Sequence, residues 1–116
     1  MKAIILAAGK GTRLGKLTTK KPKGMLDFMG KTLIEHQVQM YNSIGITEII
    51  IIRGYQKDKI TYKDIMYIDN ELYEKTNMIE SLMCARNYMD DDCVISYSDI
   101  LFSKNLLLFR FCIGNN

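Results

Sequence analysis

The chain has 116 residues, 47% hydrophobic and 25% charged, the balance of a globular domain and not of a disordered or low-complexity segment. Its net charge of +3 is modest, and six of the 16 basic residues (Lys10, Arg13, Lys16, Lys20, Lys21 and Lys23) lie between Gly9 and Lys23, where no acidic residue occurs. Charge confined to one glycine-containing loop, with no basic helical stripe carrying interleaved aromatics, argues against nucleic acid and for a small polyanion as partner.

In chain order, Lys2 to Ala8 is predicted to be a buried strand, because its apolar run is continuous and lacks the alternation of a half-exposed one. The segment from Gly9 to Gly30 is expected to be a long functional loop whose far end is restrained by Pro22. Thr32 and Glu35 have capping-box spacing, and Leu33, Ile34, Val38, Tyr41 and Ile44 recur at helical spacing up to Gly45, which predicts the first helix. Thr47 to Arg53, with four consecutive isoleucines from Ile49, reads as a second buried strand ended by Gly54-Tyr55. A third strand is expected near Ile65 to Ile68, stopping at Asp69-Asn70. Asn77 and Glu80 repeat the capping-box spacing, and Ile79, Leu82, Met83 and Arg86 predict a second long helix running to about Met89. Asp90 to Asp92 then lead into a strand, Cys93 to Ser98, with Asp99 at its carboxyl end.

Strands alternating with helices predict an α/β domain with a mainly parallel sheet covered on both faces, whose ligands bind at the carboxyl ends of the strands. The Gly9 loop and Asp99 are both expected at that edge. Cys84, Cys93 and Cys112 have no CxxC spacing, and His36 is the single histidine, so no zinc site is expected. The odd cysteine count and the absence of a secretory signal point to the cytoplasm. Leu106 to Ile113 is interrupted by Arg110 and too short to span a membrane. His36 reads as a surface or packing residue, and Tyr55 is left unassigned.

The glycine loop has well-known relatives that it does not match. Leu14 stands where the third glycine of GxGxxG belongs, Lys10 stands where a P-loop needs its first glycine, and Leu17 follows Gly15-Lys16 in place of serine or threonine. A glycine turn that ends a strand and is ringed by cations nevertheless suits a triphosphate.

The residues Leu6-Ala7-Ala8-Gly9-Lys10-Gly11-Thr12-Arg13-Leu14, followed by Lys21-Pro22-Lys23, resemble the signature of the sugar-nucleotidyltransferase family. Asn77-Met78-Ile79-Glu80-Ser81-Leu82 and Ser98-Asp99 look most like its small bacterial phosphocholine cytidylyltransferases, and the resemblance runs from Met1 to about Phe102. It implies a Rossmann-like three-layer sandwich of the nucleotide-diphospho-sugar transferase type. The implied reaction moves CMP from CTP to a small phosphomonoester such as phosphocholine, with a hexose 1-phosphate as the broader family's acceptor.

By the same resemblance, the nucleotide contacts Leu6, Ala7, Ala8 and Gly9, and its phosphates lie over Gly11, Thr12 and Arg13. Arg13 and Lys23 serve as catalytic charges, Asn77 and Ser81 line the nucleotide side, and Asp99 holds Mg²⁺. Asn77 equally suits a helix cap, and Asp99 a strand-ending turn. Members of the family are longer, and their second metal-binding aspartate has no counterpart here. The chain is therefore expected to be the nucleotide-binding half of such a domain, incomplete at its C-terminus, with an open sheet edge and self-association as consequences. A nucleotide-binding fragment without turnover is the competing expectation.

Overall fold

The computed structural model describes residues 1–9, 22–89, 92–98 and 110–112, with Lys23 and 110–112 described by their backbone. At its centre is a five-stranded sheet in the order β5-β4-β1-β6-β7. Its strands are β1 (Lys2–Ala7), β4 (Glu48–Arg53), β5 (Met66–Asp69), β6 (Asp92–Tyr97) and β7 (Arg110–Cys112). β1 pairs in parallel with both β4 and β6, setting Ile4 opposite Ile50 and Ile95, and β4 pairs in parallel with β5.

The continuous apolar strands are buried on both faces, as a doubly covered parallel sheet requires. Ala3, Ile5, Ala7, Ile49, Ile51 and Val94 point to one side, where Ile34, Met40 and Tyr41 of helix α1 (Leu33–Ser43) complete a core. Ile4, Leu6, Ala8, Ile50 and Ile52 point to the other, against Leu82 of helix α2 (Met78–Met83) and Ala85 and Met89 beyond it. Burial of this many branched side chains is the main stabilising term of the domain.

Both capping boxes form. Thr32 Oγ1 accepts from the Glu35 N–H at 3.1 Å, and Asn77 Oδ1 accepts from the Glu80 N–H at 2.9 Å. Four expectations need correction. The second helix does not run unbroken to Met89: α2 ends at Met83, and a separate 3₁₀ turn spans Arg86–Tyr88. Backbone bonds from Cys84 to Ser81 and from Ala85 to Leu82 tighten the chain, which brings Leu82, Ala85 and Met89 down onto the sheet. Ile79 consequently faces outward, 66% exposed. On α1, Ile44 is exposed at the C-cap, and the buried stripe instead includes Gln37.

Third, the segment expected as a long loop to Gly30 contains a small hairpin, β2 (Asp27–Phe28) and β3 (Lys31–Thr32). Met29 and Gly30 turn it with φ of 51° and 86°, the two left-handed positions of a two-residue hairpin turn. Fourth, the sheet does not stop at four strands, because β7 pairs antiparallel with β6 and places Phe111 opposite Cys93. Among the described residues, no helix is long and apolar enough to cross a membrane.

Candidate functional site

Three segments far apart in sequence meet at the carboxyl edge of the sheet. The Ser98 N–H, just past β6, donates to the Leu6 carbonyl at 3.0 Å. The Tyr55 N–H, just past β4, donates to the Ala8 carbonyl at 2.9 Å. Leu6, Ala7 and Ala8 are buried as whole residues, and the carbonyls of Leu6 and Ala8 are the acceptors of these two bonds.

The far end of the basic loop returns to the same place. Pro22 is fully buried, and its carbonyl accepts from the Met25 N–H at 2.9 Å, closing the 3₁₀ turn that carries Lys23. Gly24 in that turn packs so closely that an added Cβ would lie 2.8 Å from both Ser98 Cβ and Ile34 Cδ1. The segment of Lys23 thus abuts the end of β6, and Ser98 is tied in turn to β1. Gly9 differs from Gly24, since among the described residues a Cβ there would meet nothing within 4 Å.

Gly11, Thr12, Arg13 and Asp99 lie outside the described residues, as do Lys10, Lys16, Lys20 and Lys21. Of the remaining expected site residues, Leu6, Ala7, Ala8 and the Lys23 turn come together. Asn77 caps α2 in the open, while Ser81 is buried and accepts a hydrogen bond from Asn70 Nδ2 at 2.8 Å. His36 is a packing residue: its Nε2 lies 2.6 Å from the Phe28 carbonyl and its ring meets the Phe28 ring edge-on.

Beside this edge, between β1, β6 and α2, opens an apolar cleft of about 340 Å³ walled by Leu6, Met78, Ile79, Leu82, Ile95 and Tyr97. Tyr97 is 45% exposed at its rim. A second hollow, of about 240 Å³, is lined by Lys2, Glu48 and Met66 at the opposite, amino edge of the sheet.

Several residues that shape the edge escaped the sequence reading. Gln37, on the buried face of α1, donates to the Tyr97 carbonyl at 2.6 Å and accepts from Ser96 Oγ at 2.8 Å, and Ser96 accepts from the Tyr41 hydroxyl at 2.8 Å. This chain pins the exit of β6. Burial holds the Tyr41 phenol above its ordinary value of 10.0, so it stays a donor. The available signal was a glutamine three residues after Ile34, on the apolar stripe of a helix.

Arg53 clamps β4 to β5, donating to both oxygens of Asp69 at 2.7 and 3.1 Å and to the Ile60 carbonyl at 2.9 Å. Its guanidinium also lies over the Tyr67 ring, 4.2 Å from the centroid. The guanidinium bonds hold the Asp69 carboxyl below its ordinary 3.8. Lys57 pairs with Glu71 at 2.7 Å. These two cations are therefore matched by carboxylates of the same edge. Gly54 is demanded by packing, since its Cβ would fall 2.8 Å from the Ala8 carbonyl and 2.7 Å from Tyr73 Cβ.

A family model described as the MobA-like NTP transferase domain matches residues 3–111. The chain is 37% identical over 116 residues to the CTP:phosphoglutamine cytidylyltransferase of Campylobacter jejuni, covering 90% of this chain and 46% of that protein. It is 31% identical over 112 residues to a UTP–glucose-1-phosphate uridylyltransferase of Haloferax volcanii, covering 91% of this chain and 46% of that one. The structure superposes on the CTP:phosphocholine cytidylyltransferase of Streptococcus pneumoniae with a TM-score of 0.82 and 34% identity, covering 91% of this chain and 50% of that one. The fold is thus the Rossmann-like one of nucleotidyltransferases. The chain spans about half the length of the relatives it matches.

Proposed function

Because the chain belongs to the MobA-like NTP transferase domain family, we propose that it transfers CMP from CTP to a small phosphomonoester such as phosphocholine, releasing pyrophosphate. The observation that carries this reading is the meeting of Leu6–Ala8, the Lys23–Met25 turn and Ser98 at one sheet edge. Both ends of the basic loop are anchored there, and Asp99 is the residue that follows Ser98 in the chain. Likeness to two CTP-dependent proteins favours cytidine as the nucleoside.

The chemistry asks little of side chains beyond placement and charge. An oxygen of the acceptor phosphate attacks the α-phosphorus of CTP, the bond from that phosphorus to the bridging oxygen breaks, and pyrophosphate departs with the electron pair. Arg13 and Lys23 neutralise charge that grows on the phosphates. The buried backbone at Leu6 to Ala8 orients the nucleotide, and the apolar cleft beside it excludes water from the base. Magnesium supplies further neutralisation of the phosphates when bound. Asp99, which follows Ser98 in the chain, would hold it as one of the one or two carboxylates such an ion commonly takes.

Hexose 1-phosphate is the alternative acceptor, favoured by the likeness to the uridylyltransferase. The second reading is that the chain binds the nucleotide without turnover.

The test is Mg²⁺-dependent release of pyrophosphate from CTP, with phosphocholine and glucose 1-phosphate offered in parallel and Asp99→Ala as the blank. Release that disappears in the variant supports transfer and names the acceptor class. Folded protein that binds CTP but releases nothing with either acceptor moves the conclusion to nucleotide binding without turnover.

A further inference from the structure

Asn70 directly follows β5 at the same carboxyl edge and is 5% exposed. Its backbone N–H donates to the Arg53 carbonyl at 2.7 Å, tying it to the end of β4. Its side-chain Oδ1 accepts from the Leu72 N–H at 3.0 Å, and its Nδ2 donates to Thr76 Oγ1 and to Ser81 Oγ, each at 2.8 Å. One amide thereby joins the sheet, the turn that follows β5, and α2. The site asks for one acceptor and two donors on a short stem. Aspartate supplies no donor and serine only one, so asparagine is the residue that fits.

The amide does what α2 cannot do alone. Six residues are far below the roughly 12 to 15 at which an isolated helix becomes even marginally stable. Leu82 presses the helix onto the sheet, a contact that resists lift more than sliding. The Asn70–Ser81 bond fixes where along the edge the helix sits. It also holds the hydroxyl of Ser81, a residue 4% exposed, whose Oγ accepts from Asn70.

We propose that Asn70 is a positioning residue for nucleotide binding, acting through Ser81 by holding that hydroxyl and α2 in register with the Leu6–Ala8 edge. The inference rests on the nucleotide reading above. Asn70 itself does not touch the substrate.

The experiment is calorimetric titration of the full chain with CTP and Mg²⁺, for wild type, Asn70→Ala, Ser81→Ala and the double variant, at a temperature where circular dichroism shows each folded. Asn70→Asp, which keeps the size and the acceptor for Leu72, replaces Asn70→Ala if the latter does not fold. Each single change is expected to weaken CTP binding about tenfold, and the double variant to bind no more weakly than the worse single one, because both remove the same link. Asn70→Ala is also expected to speed amide exchange within α2. An asparagine with a merely structural role would lower the unfolding midpoint and leave the affinity of the folded protein intact, which overturns the proposal, as do losses that add in the double variant. Wild type that fails to bind CTP overturns the nucleotide reading and this inference with it, whereas wild-type binding that is unaltered by Asn70→Ala or Asn70→Asp overturns this inference alone.

Discussion

Arg53 and Asp69 show how a single pair sets the geometry of an edge. Their two-pronged contact spans neighbouring parallel strands one residue before Gly54 and Asn70, so it fixes the point from which both turns depart. The Asp69 side chain is 27% exposed, and solvent screening keeps the pair's worth to about 1 kcal/mol. The folded-state carboxyl is depressed below 3.8, so its contribution is present above that value and is lost as pH falls through the lower folded value. Asp69→Asn is expected to cost about 1 kcal/mol at neutral pH, with the gap to wild type closing in acid. Urea unfolding across that range checks it, and a gap that stays constant from neutral to strongly acid pH would sink the assignment.

At the scale of elements, the apolar periodicity of α1 correctly located the helix but missed its most consequential residue. Gln37 sits where a leucine would pack, and its amide spans from α1 to the last residues of β6. The bond from Ser96 is buried and the bond to Tyr97 part-buried, so removing them strands the Ser96 hydroxyl and weakens the hold on the Tyr97 carbonyl. Gln37→Leu is predicted to destabilise the domain by about 2 kcal/mol, and Tyr41→Phe, which severs one bond to Ser96, by about 1 kcal/mol. Denaturant unfolding at constant slope measures both. A Gln37→Leu protein as stable as wild type would mean that β6 holds its exit without help from α1. The second helix shows the converse failure of periodicity. Ile79 and Leu82 are both apolar and three residues apart, but a helix of six residues followed by a tightened turn can seat only one of them on the sheet.

The whole molecule brings residues 6–8, 22–25, 54–55, 70 and 98 to one rim, so a ligand bound there stabilises the fold by bridging segments that are distant in the chain. CTP with Mg²⁺ at about 100 times its Kd is expected to add about 2.7 kcal/mol to unfolding stability. Gly9→Ala separates this effect from packing. Its methyl would meet none of the described residues within 4 Å, so the variant should unfold like wild type without ligand, yet the added methyl would obstruct close approach of a phosphate or base to the backbone and should abolish most of the CTP-dependent gain. Thermal unfolding with and without CTP decides it, and a full CTP shift in Gly9→Ala would remove Gly9 from the site.

Taken alone, the sequence determined the order of the four parallel strands and the two helices, the mainly parallel and doubly covered sheet, the two capping boxes and the edge at which the basic loop begins. These follow from short-range causes: branched apolar runs, cap spacing and glycine turns are legible wherever they occur. The tertiary structure alone decided the short extent of α2, the pairing of β7, the hairpin inside the expected loop, and the roles of Gln37, Arg53 and Asn70. Each of those depends on a partner far off in sequence, Tyr97 for Gln37 and Ser81 for Asn70 among them. A polar side chain on an apolar stripe or at a strand end carries no mark of which distant group will satisfy it. Burial makes that partner obligatory, and only the fold brings it within reach.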